Sequence, residues 1–124
     1  MNQGRLPAEF RERTKKYASL TIRLFVKLPK NREEVRVLGK QLLRSGTSVA
    51  AHVREASRAR SDAEFCSKLE GVLREADESQ LWLELLRDDC AICDQTLDAL
   101  HREAGELIAI CVTMVNRTKG KDER

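Results

Sequence analysis

A heptad pattern runs through this chain, stops, and restarts three more times. Phe10, Thr14, Tyr17, Thr21, Leu24 and Leu28 step by 4-3-4-3-4 residues. Val35, Leu38, Leu42, Ser45, Val49 and Ala56 fit the same grid, with His52 or Val53 taking the step between the last two. Phe65, Leu69, Val72, Ala76, Ser79, Leu83 and Leu86 follow it, and so do Leu97, Leu100, Ala104, Leu107, Cys111 and Met114. An α-helix brings residues three and four apart onto one face, so each run is a narrow seam on a separate helix. No segment calls for a strand. A length of 124 residues is enough for one core. Short connections return each helix alongside the one before it, which predicts an all-α, antiparallel up-down-up-down four-helix bundle.

Local signals place the helices at about 7–28, 32–59, 62–87 and 94–116, in a single domain 1–124 whose polar tail, 117–124, is expected to fray. Pro7 suits a first turn, where its missing N–H would have no partner. Pro29 closes the first helix. Asn31 is a good N-cap, and Glu33 and Glu34 face the positive end of the second helix dipole. Ser61 and Glu64 form a capping box for the third helix. Ser45-Gly46-Thr47-Ser48 are poor helix formers in a row. The seam keeps its phase across them, so the second helix reads as continuous, its small residues admitting a close neighbour; the alternative is a break.

Two places carry more apolar surface than one seam needs. Leu81, Trp82, Leu83, Leu85 and Leu86 nearly encircle the end of the third helix, and Ile108, Ile110, Cys111, Val112, Met114 and Val115 do the same on the fourth. A helix apolar all round is buried on more than one side. Self-association follows, with Trp82, Leu85, Ile108 and Val112 as oligomer contacts. Ser45, Gly46 and Ser48 are then close-packing residues, within or between subunits. The other reading is a wide stripe inside one subunit.

Chemistry-bearing constellations are scarce. Cys90 and Cys93 have metal-ligand spacing, but no second such pair exists for a structural zinc site, and Cys66 and His101 would have to be brought to them by the fold. Reduced thiols and an inert loop pair are the expectation, and their role stays open. His52 and His101 are single helical histidines, with no Glu-x-x-His motif and no Ser-His-Asp set. No glycine-rich phosphate loop follows a strand. No enzyme, metal or cofactor is expected. The chain has no apolar run of eighteen residues and no apolar leader in its first ten, which points to the cytoplasm and away from a membrane.

Charge is the informative part of the composition. Residues 1–60 hold 15 Lys+Arg against 5 Asp+Glu, while residues 61–124 hold 8 against 15, so a net +3 hides a +10 half and a −7 half. Lys16, Arg23, Lys27 and Lys30 form a row beside the first seam; Arg32, Arg36, Lys40 and Arg44 recur every four residues on the second helix, with Arg54, Arg58 and Arg60 closing it. Cationic rows on rigid rods can track a phosphate backbone without reading bases. The competing reading is a solvated face, or cations paired with Glu70, Glu75, Glu78 and Glu84. Aromatics are too few for sequence readout of single strands by stacking.

The stretch from Gln41 to Ala56, QLLRSGTSVAAHVREA, with Ser61, Glu64-Phe65, Glu75-Ala76 and the Leu81–Leu86 segment, resembles the four-helix-bundle family of 23S ribosomal RNA intervening-sequence proteins. That family is related to the accessory variability determinants of diversity-generating retroelements. The resemblance spans roughly Phe10 to Leu86. It implies an up-down bundle that assembles into a barrel-shaped homopentamer. Its retroelement members imply a reverse transcriptase and nucleic acid as partners. Where the family often has Asn, this chain has His52.

Residues and resemblance together predict a cytoplasmic, non-enzymatic oligomer that binds nucleic acid, RNA first and DNA second, through the basic residues of its first two helices. A ring would multiply one weak cationic row into a multivalent surface. The alternative is a pure homo-oligomeric scaffold or protein-interaction module, in which the basic half of one subunit docks on the acidic half of the next.

Overall fold

The computed structural model describes residues 4–122, the side chains of 121 and 122 excepted. It consists of α1 (Ala8–Lys27), α2 (Glu33–Ser57), α3 (Asp62–Asp88) and α4 (Gln95–Asp122), with no strand among the described residues. Each helix lies against its neighbours in sequence, α4 returns to α1, and the diagonal pairs stay apart. This is a four-helix bundle. Lys27 at the end of α1 reaches Asp94 just ahead of α4, while Arg13 near the start of α1 reaches Glu103 and Glu106, so these two rods run antiparallel. The sides are unequal. The α2–α3 contact is the broadest and the α1–α4 contact much the smallest.

Every residue of the α1 and α3 seams is buried. On α2 the ambiguous step is filled by Val53, while His52 is only half-buried and turns to α3, its Nε2 3.8 Å from Glu75 Oε2. On α4 the seam ends on buried Val115, with Met114 half-buried beside it. An ideal helix drifts about 20° per heptad, which carries the buried line from one residue to the next.

α4 also runs on to Asp122, past the expected end near 116. The segment expected to fray is docked instead. Thr118 is buried and its hydroxyl donates to the Met114 carbonyl at 2.8 Å, and Lys119 Nζ lies 3.6 Å from Glu70 Oε1 on α3. A polar composition hid this, because the surface that holds the segment belongs to another helix. Residues 123–124 of that tail lie outside the described residues.

α2 is continuous through Ser45-Gly46-Thr47-Ser48. Its N-cap is Arg32, without a capping side chain, and not Asn31. Arg32 reaches across to the α3–α4 connection, where Nη1 donates to the Cys90 carbonyl at 2.9 Å. At α3 the cap is as expected, with Ser61 Oγ accepting from the Glu64 N–H at 3.1 Å. Asp94 serves α4 in the same way, its Oδ1 accepting from the N–H groups of Thr96 (2.7 Å) and Leu97 (3.3 Å).

A belt of hydroxyls crosses the middle of the core. Thr21 donates to the Tyr17 carbonyl at 2.8 Å, Ser79 to the Glu75 carbonyl at 2.8 Å, and Ser45 and Ser79 share a 2.9 Å bond between α2 and α3. The Tyr17 hydroxyl is turned towards Ser79 and completes no hydrogen bond among the described residues, and burial pushes its pKa up to about 12.

Candidate nucleic-acid interface

The cations of α1 and α2 divide into two groups. Four are held by neighbours. Lys27 Nζ sits 3.0 Å from Asp94 Oδ2 and closes the α1–α4 seam. Lys30 donates to the carbonyls of Val26 (3.1 Å) and Leu28 (3.4 Å) at the end of α1 and lies over the Phe25 ring. Arg36 bonds Glu33 one turn earlier at 2.7 Å. Arg44 spans to α3, 3.0 Å from Glu78 Oε1 and 3.5 Å from Glu75 Oε1. Lys16, Arg23, Lys40, Arg54 and Arg58 are exposed and have no acidic partner among the described residues. The continuous row read from the sequence is therefore interrupted. At Arg44 the competing reading holds, since Glu75 and Glu78 were among the acids offered as partners, whereas Asp94, which holds Lys27, was not.

Asp94 shows what such pairing does to a carboxyl. Burial opposes its ionisation, but the bonds from Lys27 and from the Thr96 and Leu97 N–H groups outweigh that, and its pKa lies below the ordinary aspartate value. Arg13, bonded to Glu103 through Nε (2.6 Å) and Nη2 (2.8 Å) and to Glu106 (2.9 Å), is held still more firmly in its charged form.

Two basic residues that the sequence rows passed over complete the surface. Arg11 and Lys15 stand one turn apart on α1 and face Arg54 and Arg58, one turn apart on α2. Between them is an open cleft of about 520 Å³, floored by Ala50, Ala51 and Val53. Glu12 and Glu55 also line it, and Glu55 is already engaged by Lys68 at 3.2 Å. Matched i, i+4 basic pairs on consecutive antiparallel helices were the available signal.

The expected packing residues fall into two places. Ser45 and Gly46 lie inside the subunit. Ser45 is fully buried against α3, and Gly46 faces α1, where an added Cβ would come within 2.7 Å of Thr21 Cγ2 and Oγ1. Ser48 is half-buried on α2. Trp82 and Ile108 are half-buried against the core, Leu85 is half-buried, and Val112 and Leu81 are exposed. The Trp82 indole N–H is buried without a hydrogen-bond partner among the described residues.

Cys93 is exposed and Cys66, Cys90 and Cys111 are buried, and burial pushes the Cys111 pKa up to about 12. His101 Nε2 lies 2.8 Å from Glu84 Oε2, an ion-pair position between α4 and α3. Among the described residues no group of three His, Cys, Asp or Glu is placed to hold a metal ion. No helix among them is long and apolar enough to cross a membrane.

Comparison with known proteins gives one family. The family model described as 23S rRNA-intervening sequence protein matches residues 8–113. Among solved structures, the chain is similar to a protein with unknown function from the S23 ribosomal protein family of Bacteroides thetaiotaomicron. The two are 32% identical with a TM-score of 0.76, over 85% of this chain and 96% of that one. No curated protein matches the chain.

Proposed function

The chain belongs to the 23S rRNA-intervening sequence protein family, and from that premise we propose that it is a non-enzymatic, cytoplasmic, homo-oligomeric nucleic-acid-binding protein, RNA before DNA. The observation that carries the proposal is the set of exposed cations without acidic partners among the described residues, Lys16, Arg23, Lys40, Arg54 and Arg58, concentrated on two adjacent rods. A cation kept in water beside others of its sign is poorly used for stability and well used for a polyanion. The exposed apolar side chains Leu81 and Val112 on α3 and α4 support self-association, with a pentamer as the copy number and a reverse transcriptase as the protein partner that the family resemblance implies.

The scaffold reading has one observation in its favour. Arg13, Lys27 and Arg44 do pair basic helices with acidic ones, although inside one subunit. Filter binding of a structured RNA separates the two readings. If five cations each meet a phosphate, affinity falls by about 10²–10³ between roughly 50 and 200 mM salt. A Lys16→Glu/Arg23→Glu variant should abolish binding and leave the oligomer intact, Lys27 being spared because it closes the α1–α4 seam. Absent binding at low salt, or dissociation of the oligomer by these two changes, favours the scaffold.

A further inference from the structure

The cleft between α1 and α2 holds an anomaly that the open cationic rows lack. Arg11 Nε is buried and has no acceptor among the described residues. A guanidinium N–H withdrawn from water without a partner is costly, and native structures rarely leave one so. Arg11 also lines a cleft with Lys15, Arg54 and Arg58. Four cations share the cleft with two carboxylates, and one of those, Glu55, is already taken by Lys68.

The floor makes the cleft usable. Ala50, Ala51 and Val53 project little, which leaves an open volume of about 520 Å³ between the two basic pairs. A tetrahedral oxyanion suits such a place. Arg11 can offer a fixed fork of N–H groups, while Lys15 and Arg58 act as mobile charges at the rim. An acidic residue of a peptide could satisfy one arginine, but basic residues also stand further along α2. Lys30, Arg36 and Lys40 line a second cavity of about 180 Å³ further along the same α1–α2 face. The helical rise puts Lys40 about 21 Å from Arg54 along α2. A cationic cleft with a further unpaired cation, Lys40, on the same helix fits a chain that carries a charge on every unit.

We propose that the Arg11–Lys15–Arg54–Arg58 cleft is a phosphate-binding site that anchors one phosphodiester of a bound RNA strand, the Arg11 guanidinium turning to donate to a non-bridging oxygen. This rests on the RNA-binding reading above and makes it specific. The open rows then supply attraction, and the cleft supplies register.

The test uses the full chain and nuclear magnetic resonance of the arginine Nε–H groups. Inorganic phosphate should shift the Arg11 Nε–H resonance saturably. Arg54→Gln/Arg58→Gln should weaken that saturation at least about tenfold, while Lys16→Gln/Arg23→Gln, removing the same charge, should leave it within about twofold. Arg54 and Arg58 are exposed, so the fold is expected to survive, and circular dichroism confirms it. Duplex RNA should move the same resonance the same way, and the cleft variant should lower the salt slope of RNA binding by about 2. A linear drift shared by all arginines overturns the proposal. So does a polyglutamate peptide that moves Arg11 as far as RNA does. Saturation by phosphate with RNA bound elsewhere, leaving Arg11 unmoved, refutes the RNA anchor and keeps the RNA-binding function. Saturation by phosphate with no RNA binding at all refutes the function, and leaves only an anion site.

Discussion

Gly46 offers a prediction whose sign can be reversed. Its α-carbon faces α1, and a methyl group there would stand 2.7 Å from both Thr21 Cγ2 and Thr21 Oγ1, and 3.1 Å from Thr21 Cβ. Carbon atoms in contact prefer about 3.5–4.0 Å. Thr21 cannot easily yield, because it is fully buried, branched at Cβ, and its hydroxyl donates to the Tyr17 carbonyl at 2.8 Å. Gly46→Ala therefore gains about 1 kcal/mol of helix propensity and loses about 1–3 kcal/mol to overpacking. The net expectation is a loss of about 1 kcal/mol, or about 4 °C in Tm. Thr21→Ala removes all the clashing atoms except Cβ. In that background Gly46→Ala should become stabilising by up to about 1 kcal/mol, which gives a coupling near 2 kcal/mol, as expected for touching residues. Urea unfolding of the four proteins, followed by circular dichroism at one protein concentration, measures the cycle. If Gly46→Ala stabilises both backgrounds equally, α1 and α2 are not in contact at this point, and the close approach argued here is wrong.

Three further predictions follow from the same structure. Asp94→Ala removes both the α4 cap and the partner of Lys27, and should cost about 1–2 kcal/mol; since the folded-state pKa of Asp94 is depressed, its contribution is present above the ordinary value of 3.8 and is lost as pH falls through the folded value, so the variant should lose less stability than the parent on acidification, and parallel acid titrations would rule this out. Tyr17→Phe deletes a buried hydroxyl that completes no hydrogen bond, and should leave stability unchanged within about 0.5 kcal/mol or raise it; a loss of 1 kcal/mol or more in urea melts would show that Ser79 bonds it after all. A thiol reagent should modify Cys93 rapidly in the native protein and reach Cys90 and Cys111 only on unfolding; equal rates at Cys111 would contradict its burial and raised pKa.

The fold was legible because period is a property of one helix at a time. Thr14, Thr21 and Ser79 are polar, yet their positions in the heptad placed them in the core, and all are fully buried. What sequence could not settle was which contacts between two rods form. Glu75 and Glu78 stood among the acids offered as partners for the basic helices, and Arg44 meets both; Lys27 belongs to an exposed row by spacing, and only the fold reveals Asp94 beside it. Arg11 and Lys15 fit no row, yet α2 makes a cleft of them. The end of α4 failed for a related reason. Thr118 and Lys119 are held by packing and charge across the bundle, and neither carries an apolar signal of its own.

The bundle is glued on three sides and laced on the fourth. Where α1 meets α4 the contact is thin, and Arg13–Glu103 and Lys27–Asp94 are the stitches. Ionic stitches slacken in brine, whereas greasy seams do not. α1 is thus the rod that departs first, its amide hydrogens exchanging ahead of those in α3 and faster as ionic strength climbs. The helix that offers its charges to a polyanion is fastened, along its other edge, by bonds that the same ions can loosen.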